Sequence, residues 1–197
     1  MYILKIMLTI DYFNESAKAL NKLNEQSSNI DKSSKLILQT IKKNKKILLI
    51  GNGGSFAESE HFVGELNCTF NKKNRKAICA ISLGSNPTAL TAWSNDFDFK
   101  TYYSRQIEAL GQSGDLLIIL TTSGHEKKNS SSQNLYLALK EAKKKGIKTL
   151  SLVGKKGGKI KQESDISIHV KSDITSIIQE CHLSLIHYFC YKLDSEF

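Results

Sequence analysis

Two stretches of this chain carry side chains suited to proton transfer or metal ligation: His61 with Glu65, and Gln179 with His187. His61 and Glu65 are four residues apart, so on a helix they share a face and can reach one metal or one substrate. Gln179 and His187 are eight apart, about 80° out of alignment at 100° per residue, and can converge on one site two turns long. A carboxylate next to an imidazole suits general acid–base chemistry near neutral pH. Spacing alone also allows a surface His–Glu pair on the first stretch, and satisfied core histidines at His182 or His187 on the second.

Two polar loops offer a place for an anionic substrate. Gly51, Asn52, Gly53, Gly54 and Ser55 follow the apolar run Ile47–Ile50 and lead directly into the segment of His61. Glycines let a ligand approach the backbone, and a helix beginning there presents unpaired N–H groups. Thr121, Thr122, Ser123 and Gly124 follow the apolar run Leu116–Leu120 and supply three hydroxyls and a backbone nest, which suits a phosphate. G-x-G-x-x-G and the P-loop lysine are both missing from the sequence, which argues against a dinucleotide or ATP.

The periodicity predicts the elements that must position these groups. Two N-terminal helices carry Phe13, Ala17, Leu20 and then Leu36, Leu38, Ile41, with Asp31 and Ser33–Ser34 as caps of the second. Strands are expected at 46–50, 77–83, 115–121, 149–153 and 166–170. Helices are expected at 55–66, 88–95, 100–110, 134–145 and 176–196. This alternation predicts an α/β fold: a doubly wound, five-stranded parallel sheet of flavodoxin-like topology. Ligands in such sheets bind beyond the carboxyl ends of the strands, where both polar loops emerge. The 197 residues contain one proline and no linker-like stretch, so residues 1–45 read as helices attached to an α/β core at 46–197.

The formal charge of +9 allows an anionic partner. The lysines cluster at 42–46, 72–76, 143–148 and 155–161, in expected loops and helix ends, and read as solvated edges. No nucleic-acid motif accompanies them, and no nucleic-acid or membrane partner is expected. Met1–Ile10 is apolar, but Lys5 interrupts it and it is too short to span a bilayer. Cys68, Cys79, Cys181 and Cys190 lack paired C-x-x-C spacing, so reduced thiols in a cytoplasmic protein are expected.

Taken together, Gly51–Ser55, His61-Phe-Val-Gly-Glu65-Leu66, Asn95-Asp96-Phe97, Thr121-Thr-Ser-Gly124, and Ile178-Gln179-Glu180 with His182 and Ile186-His187 closely resemble the phosphoheptose isomerases of the sugar isomerase (SIS) family. The resemblance covers nearly the whole chain. It implies an enediol isomerisation of sedoheptulose 7-phosphate to D-glycero-D-manno-heptose 7-phosphate, supplying activated heptose for lipopolysaccharide or capsule. It also implies Glu65 as catalytic base with His187 as acid–base partner. One zinc ion per subunit is implied on His61, Glu65, Gln179 and His187. Asn52, Gly53, Gly54, Ser55, Asn95, Asp96 and Gln179 are implied as substrate contacts, Thr121, Thr122 and Ser123 as a phosphate cradle, and a homotetramer as the assembly. The chain departs from the family pattern at Thr69–Phe70, at Trp93, at Ser176–Ile177 and at His125–Ser130. The last reads as an insertion, after which Ser132 stands in for a phosphate-binding serine. A non-catalytic SIS protein, binding a sugar phosphate or acting as a scaffold, is the alternative, along with an isomerase for a related phosphosugar.

Overall fold

The computed structural model describes residues 8–127 and 130–197. Most of Met1–Ile10, and part of the expected insertion at 125–130, therefore lie outside the described residues. The elements run α1 (Thr9–Lys22), α2 (Ser27–Lys42), β1 (Ile47–Ile50), α3 (Gly54–Asn67), β2 (Ala80–Ser82), α4 (Pro87–Asp96) and α5 (Phe99–Leu110). They continue as β3 (Leu116–Thr121), α6 (Gln133–Lys144), β4 (Lys148–Val153), α7 (Gly158–Glu163), β5 (Ile166–His169) and α8 (Thr175–Glu196). A 3-10 turn, Leu23–Gln26, joins the first two helices.

All strand pairs are parallel and the order is β2-β1-β3-β4-β5, the expected flavodoxin-like arrangement. In the register, Leu49 stands between Ser82 and Ile118. Successive strand residues point to opposite faces, so the same apolar strands feed two cores. Ile47, Leu49, Leu116, Ile118, Leu150 and Leu152 pack against Ile37, Phe62, Ile178 and Phe189 on the face covered by α1, α2, α3 and α8. Leu48, Ile50, Leu117, Ile119 and Val153 pack against Tyr102, Ile107, Ala138 and Leu139 on the face of α5 and α6. Each fully buried side chain of this size contributes roughly 1.5–3 kcal/mol.

This division fixes the site. The chain leaves β1 for the α3 face and leaves the adjacent β3 for the α6 face, so a crevice opens between the two connections.

Three local expectations are corrected. Asp31, Ser33 and Ser34 do not cap α2, which begins at Ser27; Ser33 and Ser34 lie inside it and donate to the carbonyls of Asn29 and Ile30 at 2.7 and 3.1 Å. This back-bonding satisfies serine hydroxyls within a helix. The second strand is only three residues long, because the segment from Asn71 to Cys79 turns back across the end of α3 before it reaches the sheet. Residues 158–163, expected as loop, form the short helix α7.

Candidate active site

Helices α3 and α8 lie side by side and run in the same direction, so their contacts read as successive rungs. At the first rung, Gly53 adopts φ +55° and Gly54 has no room for a side chain, since a Cβ there would fall on the Gln179 amide. The backbone at Gly53 calls for glycine, and the missing Cβ at Gly54 lets the flexible Gln179 amide lie against the start of α3. Further along, His61 Nε2 and His187 Nε2 are 3.0 Å apart, and His61 Nε2 lies 3.5 Å from Glu65 Oε1. The aligned faces expected from the sequence do converge: His61, Glu65 and His187 form one cluster, with Gln179 about two turns away along the same helix. The Phe70 ring stacks on His187 at 5.8 Å, and the His61 ring meets it edge-on at 5.2 Å. Phe70 holds an imidazole that the sequence alone did not connect to it.

Behind this surface lies a second titratable pair. Glu58 and His182 are buried, with Glu58 Oε2 and His182 Nδ1 4.0 Å apart and, among the described residues, no hydrogen-bond partner at either ring nitrogen. Burial pushes the Glu58 carboxyl up to about 8, opposed by the Ser55 hydroxyl. Burial drives the His182 imidazole down to about 4. Both are therefore neutral near pH 7, which removes the cost of burying two charges. His182 is thus a core histidine, as one reading of the sequence allowed, but not, among the described residues, a hydrogen-bonded one.

The second loop forms a self-bonded hydroxyl cradle. Ser132 Oγ lies 2.9 Å from both Thr121 Oγ1 and Ser123 Oγ, and Ser131 Oγ donates to Ser123 Oγ at 3.1 Å. The amide of Gly124 donates to Thr121 Oγ1 at 3.2 Å. Ser132 immediately precedes α6, in left-handed geometry at φ +66°, so the cradle sits at a helix N-terminus that favours an anion. Thr122, between these residues, is partly buried. Asn52 ties the two loops together: it exchanges amide hydrogen bonds with Asn134 in α6 at 2.9 and 2.8 Å. Tyr103 Oη donates to the Gly51 carbonyl at 2.5 Å and pins the first loop from below. A cavity of about 500 Å³ opens against Asn52, Gly53, Ser132, Asn134, Phe99 and Lys100. Lys100 was not singled out by sequence because it stands alone at the start of α5, outside any lysine cluster.

Asn95 and Asp96 are exposed at the end of α4 and bond to each other at 2.8 Å, with no hydrogen bond to the His61 cluster or to the cradle. Trp93 stacks on Phe97 beside them, with ring centroids 4.3 Å apart.

Comparison with known proteins decides the family. Residues 11–154 match the SIS domain family. The phosphoheptose isomerase of Helicobacter pylori (strain P12) is 41% identical over 91% of this chain and 88% of its own length. The chain belongs to the phosphoheptose isomerase family. A probable phosphoheptose isomerase of Thermoplasma volcanium is 39% identical over 97% of this chain and 93% of its own. The solved phosphoheptose isomerase GmhA of Neisseria gonorrhoeae superposes with a TM-score of 0.85 at 34% identity, covering 93% of this chain and 95% of that one. The protein is accordingly an aldose–ketose isomerase, and the first loop, the cradle and the His61–Glu65–His187 cluster are its candidate active-site elements. Among the described residues no helix is long and apolar enough to cross a membrane.

Proposed function

We propose that the enzyme interconverts sedoheptulose 7-phosphate and D-glycero-D-manno-heptose 7-phosphate in the cytoplasm, for heptose that enters lipopolysaccharide or capsule. Two groupings beyond the carboxyl ends of β1 and β3 support this reading: a neutral hydroxyl cradle at the N-terminus of α6, and a carboxylate with two imidazoles on α3 and α8. The cradle of Thr121, Thr122, Ser123 and Ser132 binds the phosphate. Asn52, Gly53, Gly54, Ser55 and Gln179 line the sugar chain. Glu65 takes the proton from C1 of the sugar and returns it at C2, and His187 moves protons between the two oxygens of the enediol. Phe70 stacks on the His187 ring and His61 meets it edge-on, so both pack against it.

His61, Glu65, Gln179 and His187 are the residues that would hold a zinc ion. Tetrahedral zinc with bonds of about 2.0–2.1 Å separates its donor atoms by roughly 3.3 Å. The 3.0 Å and 3.5 Å separations in the cluster bracket that value, so the donors suit the ion in pairs. Among the described residues, no three His, Cys, Asp or Glu side chains close on one point, so ligation requires a side-chain adjustment. When bound, the ion polarises the carbonyl and the enediol oxygens.

A homotetramer completes the reading. His61, Asn95 and Asp96 are exposed and Glu65 is only half-buried, which leaves them open to a neighbouring subunit. Ile10 and Phe13 of α1 and Tyr191 of α8 present exposed apolar surface suited to contacts between subunits.

A coupled assay with sedoheptulose 7-phosphate, with neighbouring phosphosugars as controls, tests the substrate. Turnover confined to a different phosphosugar would reassign it, and no turnover with any would favour a binding protein. Removing metal with a chelator should abolish turnover and adding zinc should restore it; full activity in a metal-free preparation would overturn the zinc assignment.

A further inference from the structure

Arg75 sits in the lysine-rich turn after α3. Its neighbours Lys72, Lys73 and Lys76 are exposed, as a solvated edge should be, yet the Arg75 side chain is only 2% exposed. A buried guanidinium has to be paired and hydrogen-bonded; this one hydrogen-bonds through both Nη atoms and is ion-paired at Nε, where among the described residues no hydrogen bond forms. Nη2 donates to the carbonyl of Glu65 at 2.5 Å. Nη1 donates to the carbonyls of Leu66 and Lys76 at 3.2 and 3.1 Å. Nε lies 2.9 Å from Asp194 Oδ1. The other Asp194 oxygen accepts from the backbone amides of Asn71 and Lys72 at 2.7 and 2.8 Å.

Two helix ends are satisfied at once. The last carbonyls of α3 have no partner within the helix, and a cation there complements the dipole. Asp194 lies in the last turn of α8, where a carboxylate is unfavourable on its own and needs a cation close by. His187 is seven residues before Asp194, two turns back along nearly the same face. The anchor on α3 is the backbone of Glu65 itself.

We propose that Arg75 is a positioning residue for the isomerisation: it clasps the last turn of α3 to the last turn of α8 and so fixes the Glu65 carboxylate against the His187 imidazole. The proposal rests on the reading of Glu65 and His187 as the acid–base pair. Only a planar fork can reach two helix carbonyls and a carboxylate together, so lysine replaces the charge but not the clasp.

The test measures kcat and KM for sedoheptulose 7-phosphate in Arg75→Met, Arg75→Lys, Asp194→Asn and Glu65→Gln, each normalised to the folded fraction by circular dichroism. Arg75→Met should lose about 10- to 100-fold in kcat, the scale of an ångström misplacement, with KM within about threefold of wild type. Arg75→Lys should fall between the two. If Arg75→Met does not fold, Arg75→Lys and Asp194→Asn carry the same comparison. Wild-type kcat per folded molecule in the Arg75 variants, beside an inactive Glu65→Gln, overturns the clasp alone. Normal turnover by Glu65→Gln overturns the assignment of Glu65 and the clasp with it.

Discussion

The hydroxyl cradle after β3 and the His–Glu cluster on α3 and α8 are built differently. On the cradle side, Thr121, Ser123, Ser131 and Ser132 bond to one another, and Asn52 bonds to Asn134, so the hydroxyls are held in place before any ligand arrives. On the α3/α8 side, the two imidazole nitrogens face each other across 3.0 Å, and Glu65 approaches only that of His61, at 3.5 Å. The order there comes from behind the reacting groups: Gln179 on Gly54, Phe70 on His187, Arg75 on the Glu65 carbonyl. The contrast suggests a division of labour. A phosphate handle is common to substrate, intermediate and product, and is best met by a finished site. Groups that exchange protons must be held in position while their polar atoms stay free for the sugar.

Substitutions on the two sides should therefore fail in different ways. His187→Ala should lower kcat by about 10²- to 10⁴-fold, the usual worth of a general acid–base group, with a small change in KM; steady-state kinetics check this, and a KM-only effect would move His187 to the binding side. Ser132→Ala should do the reverse. Losing a hydroxyl shared by Thr121 and Ser123, and bonded to a charged phosphate, costs about 1.5–3 kcal/mol, or roughly 10- to 100-fold in KM with kcat kept. Lys100→Ala should raise KM a few-fold, and by less at high salt, because an exposed ammonium is screened.

The smallest effect concerns the buried pair behind the chemistry. Glu58 has a raised pKa, so its contribution to stability is full below the unfolded value and fades as pH rises toward about 8. His182 has a lowered pKa, so it adds stability as pH rises from about 4 to its ordinary value near 6.5. The two oppose each other in mildly acidic solution. Above about pH 6.5 only the Glu58 loss remains, and thermal melts should show stability falling toward pH 8. Glu58→Gln should flatten that fall; an unchanged slope would place its origin elsewhere.

How much of this was legible in the sequence depends on the residue. Strands such as Leu116–Thr121 are apolar on both faces and announce a buried parallel sheet. The glycine loop and the four-residue spacing of His61 and Glu65 announce a site because their local geometry follows from backbone rules alone. Asp31, Ser33 and Ser34 misled because cap residues also occur inside helices when their hydroxyls bond back to the preceding turn. Arg75 was hidden in a run of solvated lysines, since burial there depends on Asp194, more than a hundred residues away in the chain. The convergence of Ser132 on Thr121 and Ser123 spans a loop whose path no periodicity encodes. Asn95 and Asp96 are legible as a motif but remain away from the cluster in one chain.

The most direct test of the account is solvent-deuterium exchange into sedoheptulose 7-phosphate, followed by NMR in wild type and Glu65→Gln. The account predicts that wild type washes deuterium into C1 and C2. Glu65→Gln should bind the phosphosugar with near-normal affinity, keep its fold, and exchange at least 10²-fold more slowly. Exchange at the wild-type rate in Glu65→Gln would contradict the assignment of Glu65 as the base, and with it the division between a finished binding side and a reacting side.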